Sequence, residues 1–374
     1  MKSKTFIPPN RILMGPGPSN VHPRVLEAMA RSTIGHLDPK FIELMDDLKS
    51  LLRYTFKTEN EITFPVSGPG SIGMETCLVN LVEPGMKVLV CVNGVFGGRM
   101  KDIIERCGAK AIVVEDSWGE EIDPQKFEDT LKSNSDIKVT AFVHAETSTG
   151  AKSDIKTLTE ISHKHNCIAI ADTVTSLGGI PVKTDEWNLD VVYSGSQKCL
   201  SCPPGLSPVT FNDRALNAIK NRKSKVQSWF MDINLITSYW AGSKRTYHHT
   251  APINALYGLH EALILLQEEG IENAWNRHQR NSELFISGLE KLGLNTFVNE
   301  KVRLPELITV ISPEGIDETS VRNFLLDKHN IEIGAGLGVL AGKIWRIGLM
   351  GYTSNEENIS KCLTALDEAI SKFK

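Results

Sequence analysis

The feature that most constrains the fold is an alternation of short apolar runs with longer amphipathic segments along residues 61–211. By length and composition the runs EITFPV, VLVCV, AIVVED, VTAFVHAE, CIAIAD, DVVYSGS and PVTF predict strands. Segments of helical periodicity, such as SIGMETCLVNLV and FGGRMKDIIERCG, separate several of them. Strands joined through helices form parallel sheets that are buried between helices. The sequence therefore predicts an α/β fold with a mostly parallel seven-stranded sheet flanked by helices.

The pattern changes towards both ends of the chain, which indicates more than one unit. Residues 1–20 are a Pro/Gly-rich arm, and residues 20–56 and 252–292 have helical periodicity. After residue 292, short β runs and two helical segments alternate differently, as in an α+β domain. A chain of 374 residues is long enough for two cores. We predict an N-terminal arm at 1–20, a large domain at 21–268 and a small C-terminal domain at 269–374.

Composition excludes several classes of partner. The chain has 41 Lys and Arg against 45 Asp and Glu, a formal net charge of -4, so nucleic acid and anionic membranes are not expected partners. No apolar run reaches the roughly 18 to 20 residues of a membrane span, and the N-terminal lysines precede no apolar run. The seven cysteines, an odd count, are typical of reduced thiols. We expect a cytoplasmic protein.

Two polar clusters raise the question of a metal or redox site. Cys199 and Cys202 have the spacing of a redox motif or half a zinc site, but the sequence contains no second such pair. Neighbouring His248 and His249 rarely bind one ion together, and no carboxylate or cysteine is near them in sequence. We predict no metal, and a thiol-based redox protein remains the alternative from a different functional class.

Lys198 and Asp172 stand at predicted strand ends, where an α/β sheet binds its ligands. A charged group at the end of a buried strand is costly unless it is paired or used. A desolvated lysine amine is nucleophilic near neutral pH and forms Schiff bases with aldehydes. A carboxylate such as Asp172 would keep a pyridine nitrogen protonated. Taken alone, Lys198 is explained equally well as a surface lysine, and Asp172 as a helix cap. Together the two residues predict a pyridoxal phosphate site.

The segment LDVVYSGSQKCLSCPPGLSPV (189–209) resembles the lysine motif of class V pyridoxal-phosphate-dependent aminotransferases. The chain is similar, from GPGPSN (15–20) to WRIGLMG (345–351), to the alanine–glyoxylate and serine–pyruvate aminotransferase family. The resemblance implies the fold type I architecture, a homodimer with shared active sites, and pyridoxal 5'-phosphate held on Lys198 opposite Asp172. It implies transamination between alanine or serine and glyoxylate or pyruvate, by a ping-pong Schiff-base mechanism.

A glycine-rich turn, VSGPGSIGME (66–75), lies between a predicted strand and helix. Such a turn cradles phosphate through free N–H groups and the helix dipole; position and resemblance both favour Gly70 and Ser71 as donors. Pro69 departs from relatives that carry a hydroxyl there, so one phosphate contact is lost or replaced. The turn also fits a dinucleotide fingerprint, but Asn93 and Gly94 follow the next strand where that motif needs an acidic residue.

The remaining site residues follow from the resemblance or from their positions. The resemblance implies that Phe96, otherwise a core phenylalanine, stacks on the cofactor ring, and that Tyr247 and Thr250 contact the phosphate of the other subunit's cofactor. By position, the Thr147 hydroxyl either bonds the ring oxygen, orients Asp172 or caps a turn or helix. Val174, two residues after Asp172, is expected to pack under the ring, and Gln197, beside the lysine, to reach the phosphate. Arg346 lies in an apolar β run, and a buried arginine suits a substrate carboxylate or, alternatively, a structural ion pair. Gly17 and His36 are expected to line the substrate pocket.

Related activities remain as alternatives. GHLDPKF (35–41) and GKIWRIG also resemble ureidoglycine–glyoxylate aminotransferase, although that enzyme prefers an amide where His36 and Tyr247 stand. A 2-aminoethylphosphonate transaminase is disfavoured because Arg346 suits a carboxylate. A class V desulfurase needs a histidine before the lysine, and Gln197 stands there instead.

Overall fold

The computed structural model describes residues 4–241 and 245–374. Strands from the first part of the chain form a seven-stranded sheet. The first three residues of the predicted arm lie outside the described residues. The strands, four of them in two small two-stranded sheets, are β1 (Ile12–Leu13), β2 (Ile62–Ser67), β3 (Lys87–Val92), β4 (Lys110–Glu115), β5 (Val139–Val143), β6 (Ala145–Glu146), β7 (Ala151–Lys152), β8 (Ile168–Asp172), β9 (Val191–Tyr193), β10 (Leu206–Phe211), β11 (Leu307–Ile311), β12 (Ile331–Glu332), β13 (Gly334–Ala335) and β14 (Ile344–Gly348).

The order of the large sheet is β2-β10-β9-β8-β5-β3-β4. The pairs β9-β8, β8-β5, β5-β3 and β3-β4 are parallel, and β10 is antiparallel to both of its neighbours. β5 and β8 are buried at every position, as the continuous apolar runs predicted. The predicted fold class, a mostly parallel seven-stranded sheet between helices, is confirmed.

Helices cover the sheet and build much of the second unit. They are α1 (Pro23–Met29), α2 (Pro39–Phe56), α3 (Gly70–Leu81), α4 (Val95–Arg106), α5 (Pro124–Ser133), α6 (Ile155–Lys164), α7 (Asp213–Lys220), α8 (Ile233–Trp240), α9 (Ile253–Glu269), α10 (Ile271–Lys291), α11 (Glu318–His329) and α12 (Glu356–Phe373). In the described part of the chain, no helix combines the length and the apolar composition that a membrane crossing requires.

Some sequence predictions of element extent were too broad, including DVVYSGS, of which only Val191–Tyr193 forms a strand. The helical region at 20–56 is two helices, because Pro23 and Pro39 each begin a new one behind the capping side chains of His22 and Asp38. The run VTAFVHAE is not one strand. β5 ends at Val143, and β6 pairs with β7 in a separate hairpin.

A second hydrophobic cluster lies apart from the core of the large sheet. The first cluster extends from Val25 to Ala274 along the chain, and the second joins Met14 to side chains between Phe285 and Ala369. The second packs around a sheet of order β11-β14-β13, with α10, α11 and α12 contributing. The domain boundary at 268/269 falls at the end of α9 and stays a prediction.

Candidate active site

Lys198 follows β9 and lies inside the protein, with 8% of its surface exposed. Its Nζ donates a hydrogen bond to the carbonyl oxygen of Pro16 in the N-terminal arm. Burial, together with the positive charge of Arg346, lowers the pKa of Lys198 to about 8. A substantial fraction of this amine is therefore unprotonated near neutral pH, as a nucleophilic lysine requires.

Asp172 ends β8 and is also buried, with 2% of its surface exposed. Its Oδ1 accepts a hydrogen bond from Val174 N at 2.8 Å, and its Oδ2 accepts one from Tyr193 Oη at 2.6 Å. Burial raises the pKa of Asp172 to about 6, against the lowering effect of these two donors. At neutral pH it is mostly an anion, as a partner for a protonated ring nitrogen must be.

The glycine-rich turn begins α3 at Gly70 with Pro69 as its N-cap, and the Pro69 side chain makes no capping hydrogen bond. The first N–H groups of a helix have no carbonyl partner within it, so Gly70 and Ser71 present donors at its positive end. A Cβ at Gly70 would lie 3.2 Å from Val174 Cγ2 and 3.6 Å from Gly195 Cα. The turn thus approaches the segments that carry Asp172 and Lys198 closely.

Arg99, which sequence reasoning missed, adds a positive charge beside this turn. Its Nη1 donates to Ser71 Oγ at 3.2 Å, and its guanidinium lies 5.0 Å from the ring centre of Phe96. Phe96 is partly buried in the first turn of α4. A cation next to the phosphate cradle is a chemical reason why a proline at position 69 is tolerated there.

Gln197 and Val174 test whether these residues fit a pyridoxal phosphate. The Gln197 Oε1 atom is buried and has no hydrogen-bond partner in the described residues. A buried amide group without a partner indicates a missing ligand or water. Val174 packs beside Gly70 and Gly195, between the helix N-terminus and the residues leading to the lysine. Together with the buried amine and carboxylate, this donor set fits the cofactor.

Arg346 lies on β14 of the small sheet with 7% of its surface exposed. Its Nε donates to Ala335 O at 2.7 Å and its Nη1 to Thr147 O at 3.1 Å. Burial lowers its pKa to about 10, which still leaves it charged at neutral pH. No acidic side chain in the described ranges forms an ion pair with it. The structural ion pair, the alternative interpretation of this arginine, is therefore absent there.

Thr147 does not orient Asp172. Its Oγ1 hydrogen-bonds the hydroxyl of Thr175, and its carbonyl oxygen accepts from Arg346. Asp172 is held instead by Tyr193 and by its own turn. The other predicted role of Thr147, a bond to the ring oxygen, stays a prediction.

Gly17 lies against the lysine. Its φ of +102° is in the region that favours glycine, and a Cβ there would lie 2.6 Å from Lys198 Nζ. Ser19 continues the contact, since its Oγ donates to Lys198 O at 2.8 Å. The arm therefore forms one wall of the site around the amine.

Tyr247 and Thr250 lie on the surface rather than beside Lys198. Tyr247 is 60% exposed, and its ring centre lies 5.2 Å from that of His36, which is partly buried. Thr250 is exposed as well. Between them in sequence, His249 contacts Ser67 Oγ through its Nε2 at 2.9 Å, so this segment borders the end of β2 just before the glycine-rich turn.

The CxxC pair has no features of a reactive thiol site. Cys199 and Cys202 are free and buried, as are the other five cysteines. Burial raises the pKa of Cys202 to about 12 and that of Cys199 well above its usual value. Reactive thiols have lowered pKa values and access to solvent. The geometry gives the redox alternative no support.

A cavity of about 770 Å³ elsewhere in the structure does not contain the residues described above. It is lined by His144, Trp187 and Arg303, among others. Its lysines, such as Lys152, are at least partly exposed, unlike Lys198. We therefore locate the active site by its chemistry rather than by cavity size.

Tyr193 and Glu146 are functional candidates that sequence reasoning overlooked. Each lies within an apolar run that was interpreted only as a strand, and both are fully buried. The available signal was a polar group at the end of an apolar run, which is costly to bury without a partner. The partners Asp172 of Tyr193 and Phe96 of Glu146 lie on other elements and could not be identified from the sequence.

Comparison with known proteins agrees with this geometry. The family model described as Aminotransferase class-V matches residues 13–360. Alanine–glyoxylate aminotransferase of Rattus norvegicus is 40% identical over 371 residues, which cover 98% of this chain and 89% of the relative.

Solved structures also match nearly the whole chain. Alanine–glyoxylate aminotransferase from Nostoc sp. has a TM-score of 0.97 and 46% identity, covering 99% of this chain and 98% of that one. Ureidoglycine–glyoxylate aminotransferase from Bacillus subtilis has a TM-score of 0.96 and 36% identity, covering 99% and 95%.

Proposed function

The chain belongs to the class-V aminotransferases, and from this premise we propose that it exchanges an amino group between alanine or serine and glyoxylate or pyruvate. It is a pyridoxal-phosphate-dependent transaminase, as its family is. What remains a proposal is the pair of substrates. Alanine and glyoxylate appear in the names of the relatives with 40% and 46% identity, which supports this choice.

The observation that carries the proposal is the buried guanidinium of Arg346, which has no acidic partner among residues 4–241 and 245–374. Its two backbone acceptors, Ala335 O and Thr147 O, leave donor capacity for a carboxylate. Every amino acid and every 2-oxo acid carries a carboxylate next to the carbon that reacts. Arg346 can therefore bind both substrates in the same orientation.

Small side chains are favoured by the N-terminal arm. Pro16 O and Gly17 lie directly against the Lys198 amine. A substrate that reacts at this position meets the arm's backbone as one wall of its pocket. This supports alanine and serine over larger donors.

Bound pyridoxal phosphate supplies an aldehyde for condensation with amines and a protonated ring that accepts electrons. The Lys198 amine would hold the group covalently. The same Nζ, once unprotonated and free, would take a proton from the substrate Cα. Asp172 is positioned to keep the ring nitrogen protonated, and Phe96 to cover the ring. Two half-reactions in sequence give ping-pong kinetics.

The direct test is a panel of amino donors, with L-alanine, L-serine and ureidoglycine each mixed with the yellow holoprotein. We expect alanine or serine to change the absorbance of the lysine-bound cofactor in a half-reaction, and glyoxylate or pyruvate to restore it. Turnover with ureidoglycine alone would overturn the choice of donor and favour the activity named for the Bacillus subtilis relative.

Attachment to the lysine is tested separately. Lys198→Ala should lose the absorbance of the lysine-bound cofactor and the exchange activity. Lys220→Ala, at an exposed position at the end of α7, is the matched control and should retain both. Persistence of the band in Lys198→Ala would contradict the assignment.

We also propose a homodimer with shared active sites. Tyr247 and Thr250 are exposed, and Trp229 is 62% exposed, so the segment near β2 has surface available for a second copy. The family resemblance gives Tyr247 and Thr250 a role at the partner's cofactor phosphate. Light scattering of the holoprotein should give twice the mass of one chain.

Mixing two inactive variants tests site sharing directly. Lys198→Ala and Tyr247→Ala, each expected to be impaired, are unfolded together and refolded. Random pairing gives heterodimers with one intact site and about a quarter of the wild-type activity. No recovery from a dimeric mixture would show that each chain supplies its own Tyr247.

A further inference from the structure

The hairpin of β6 and β7 carries a buried carboxylate that the proposed reaction does not yet use. Glu146 has no exposed surface. Its Oε1 accepts hydrogen bonds from Ser148 N at 3.0 Å and Ser148 Oγ at 2.6 Å, and its Oε2 accepts one from Phe96 N at 3.1 Å. Burial raises the pKa of Glu146 above its ordinary value, and these donors, with Gly97 N, offset that rise only in part. A carboxylate surrounded by donors is stabilised as the anion.

This carboxylate caps α4 from another part of the chain. Gly94, the N-cap of α4, has no side chain to serve its first N–H groups. The hairpin serves them instead, since Val95 N donates to Ser148 Oγ at 2.9 Å and Phe96 N to Glu146. A Cβ at Gly94 would lie 2.4 Å from Glu146 Cδ, so glycine there permits the close approach. The first turn of α4, which carries Phe96, is thereby tied to the hairpin.

The same part of the chain contacts the other site residues. Arg346 Nη1 donates to the carbonyl of Thr147, next to Glu146, and His144 N donates to Asp172 O at 2.9 Å. The charge of Glu146 raises the pKa values of Asp172 and Tyr193 on the large sheet and of Arg346 on β14. For Arg346, Glu146 is the one acidic group that acts on it appreciably within the described residues.

We propose that Glu146 is a positioning residue for the transamination. Its ionised carboxylate fixes the first turn of α4, and so Phe96, and it supplies the buried negative charge that acts on Arg346 and Asp172 before a substrate arrives. The inference deepens the proposed function, but its tests need the apoprotein and the bound cofactor rather than any amino donor.

Three variants separate charge from shape. Glu146→Gln removes the charge at nearly constant volume, and Glu146→Asp keeps the charge on a shorter side chain. Ser148→Ala removes two hydrogen bonds around the carboxylate and leaves its charge in place. Glu115→Gln, at an exposed position on β4, is the matched control.

The first measurement is hydrogen exchange in the apoprotein. The amides of residues 95–97 should exchange about tenfold faster in Glu146→Gln than in the wild type, because the capping acceptor is weakened. Glu115→Gln should not change them. Unchanged exchange at these amides in both Glu146→Gln and Ser148→Ala would overturn the positioning role.

The second measurement is the pH at which the absorbance of the lysine-bound cofactor changes. Removing a nearby negative charge lowers the pKa of groups that carry positive charge, so Glu146→Gln should move this midpoint down by about half a pH unit or more. Ser148→Ala and Glu146→Asp should stay near the wild type. A midpoint that does not move in Glu146→Gln while exchange increases would overturn the charge role and leave only a structural cap.

Misfolding or loss of cofactor in one variant leaves the other variants to test the proposal. If Glu146→Gln fails to retain cofactor, Glu146→Asp still reports whether the charge alone maintains the midpoint, and Ser148→Ala still reports the capping contact. If no amino donor in the panel turns over, the proposed substrates fail, and both measurements on Glu146 keep their meaning.

Discussion

Tyr193 donates its phenolic hydrogen to Oδ2 of Asp172 at 2.6 Å, and the two residues are register partners on the parallel strands β9 and β8. Both are buried, and the carboxylate accepts its other hydrogen bond from Val174 N. Neither donor brings a positive charge. The pair therefore orients Asp172 without neutralising it, which leaves its charge available to the cofactor ring.

Tyr193→Phe should weaken cofactor binding, and most strongly at low pH. The Tyr193 hydrogen bond lowers the pKa of Asp172, which burial raises to about 6. Without that bond the pKa rises, so Asp172 is protonated over a wider range and stops attracting a protonated ring. The pH at which affinity for pyridoxal phosphate is half lost should move up by about one unit. Titration of apoprotein with pyridoxal phosphate between about pH 5 and pH 9 measures it.

Tyr257→Phe is the control, since its hydroxyl contacts Ser32 O at 3.3 Å near the surface. The cofactor's own phosphate titrates identically in all three proteins, so only the difference between them counts. Equal pH profiles for Tyr193→Phe and the wild type would show that Asp172 does not depend on Tyr193.

The sequence predicted the sheet and the two central side chains because each depends on a local pattern. Lys198 and Asp172 follow apolar runs, and parallel strands bring such ends to one edge. It did not predict Glu146, which caps a helix that begins about fifty residues earlier in the chain. It also offered Thr147 as a candidate partner of Asp172, whereas Tyr193 holds it. Contacts between side chains on different elements depend on register, which periodicity does not determine.

Gly17→Ala should disrupt the site without unfolding the protein. The new methyl group would lie 2.6 Å from Lys198 Nζ, on a backbone with φ of +102° that disfavours alanine. The lysine or the arm must move, so we expect at least about a tenfold loss of cofactor affinity. Gly15→Ala is the control, because its Cβ would lie no closer than 3.7 Å to any atom. Cofactor titration reports the effect on the site, and thermal melting of the apoprotein reports the effect on the whole fold.

Similar cofactor affinity in both variants would argue against close contact between the arm and the amine.

Arg346→Lys should raise the KM for the amino donor and leave cofactor absorbance unchanged. Lysine carries the charge but cannot bond Ala335 O, Thr147 O and a substrate carboxylate together. The loss of a paired, charge-assisted contact corresponds to a KM increase of about tenfold to a hundredfold. Arg303→Lys changes an arginine that bonds Val298 O outside the site and serves as the control. Steady-state kinetics with L-alanine or L-serine measure this KM. An unaltered KM would show that Arg346 does not bind the substrate.

Glu306→Gln should stabilise the apoprotein at alkaline pH. Glu306 precedes β11 with no exposed surface, and neither carboxylate oxygen has a hydrogen-bond partner in the described residues. Burial raises its pKa to about 8 from 4.5, and the lowering effects of its own backbone N–H and of the positive charge of Lys152 offset this only in part. The charge of Glu306 also raises the pKa of the buried Cys199 thiol. The side chain is therefore a neutral acid in the folded protein at neutral pH.

The sign of the effect follows from proton binding. Between pH 4.5 and about 8 the unfolded chain has released this proton and the folded protein has kept it, so stability falls as pH rises. Glutamine at this position does not titrate. The difference in free energy of unfolding between Glu306→Gln and the wild type should be near zero at about pH 4.5. It should grow to at most about 5 kcal/mol, in favour of the variant, at about pH 8.

Urea unfolding of both proteins across this range measures the difference, with the exposed Glu300→Gln as control. A difference that stays constant with pH would mean that Glu306 ionises in the folded state as readily as in the unfolded one. That outcome would require a hydrogen-bond donor or a cation beside the Glu306 carboxylate in the folded protein.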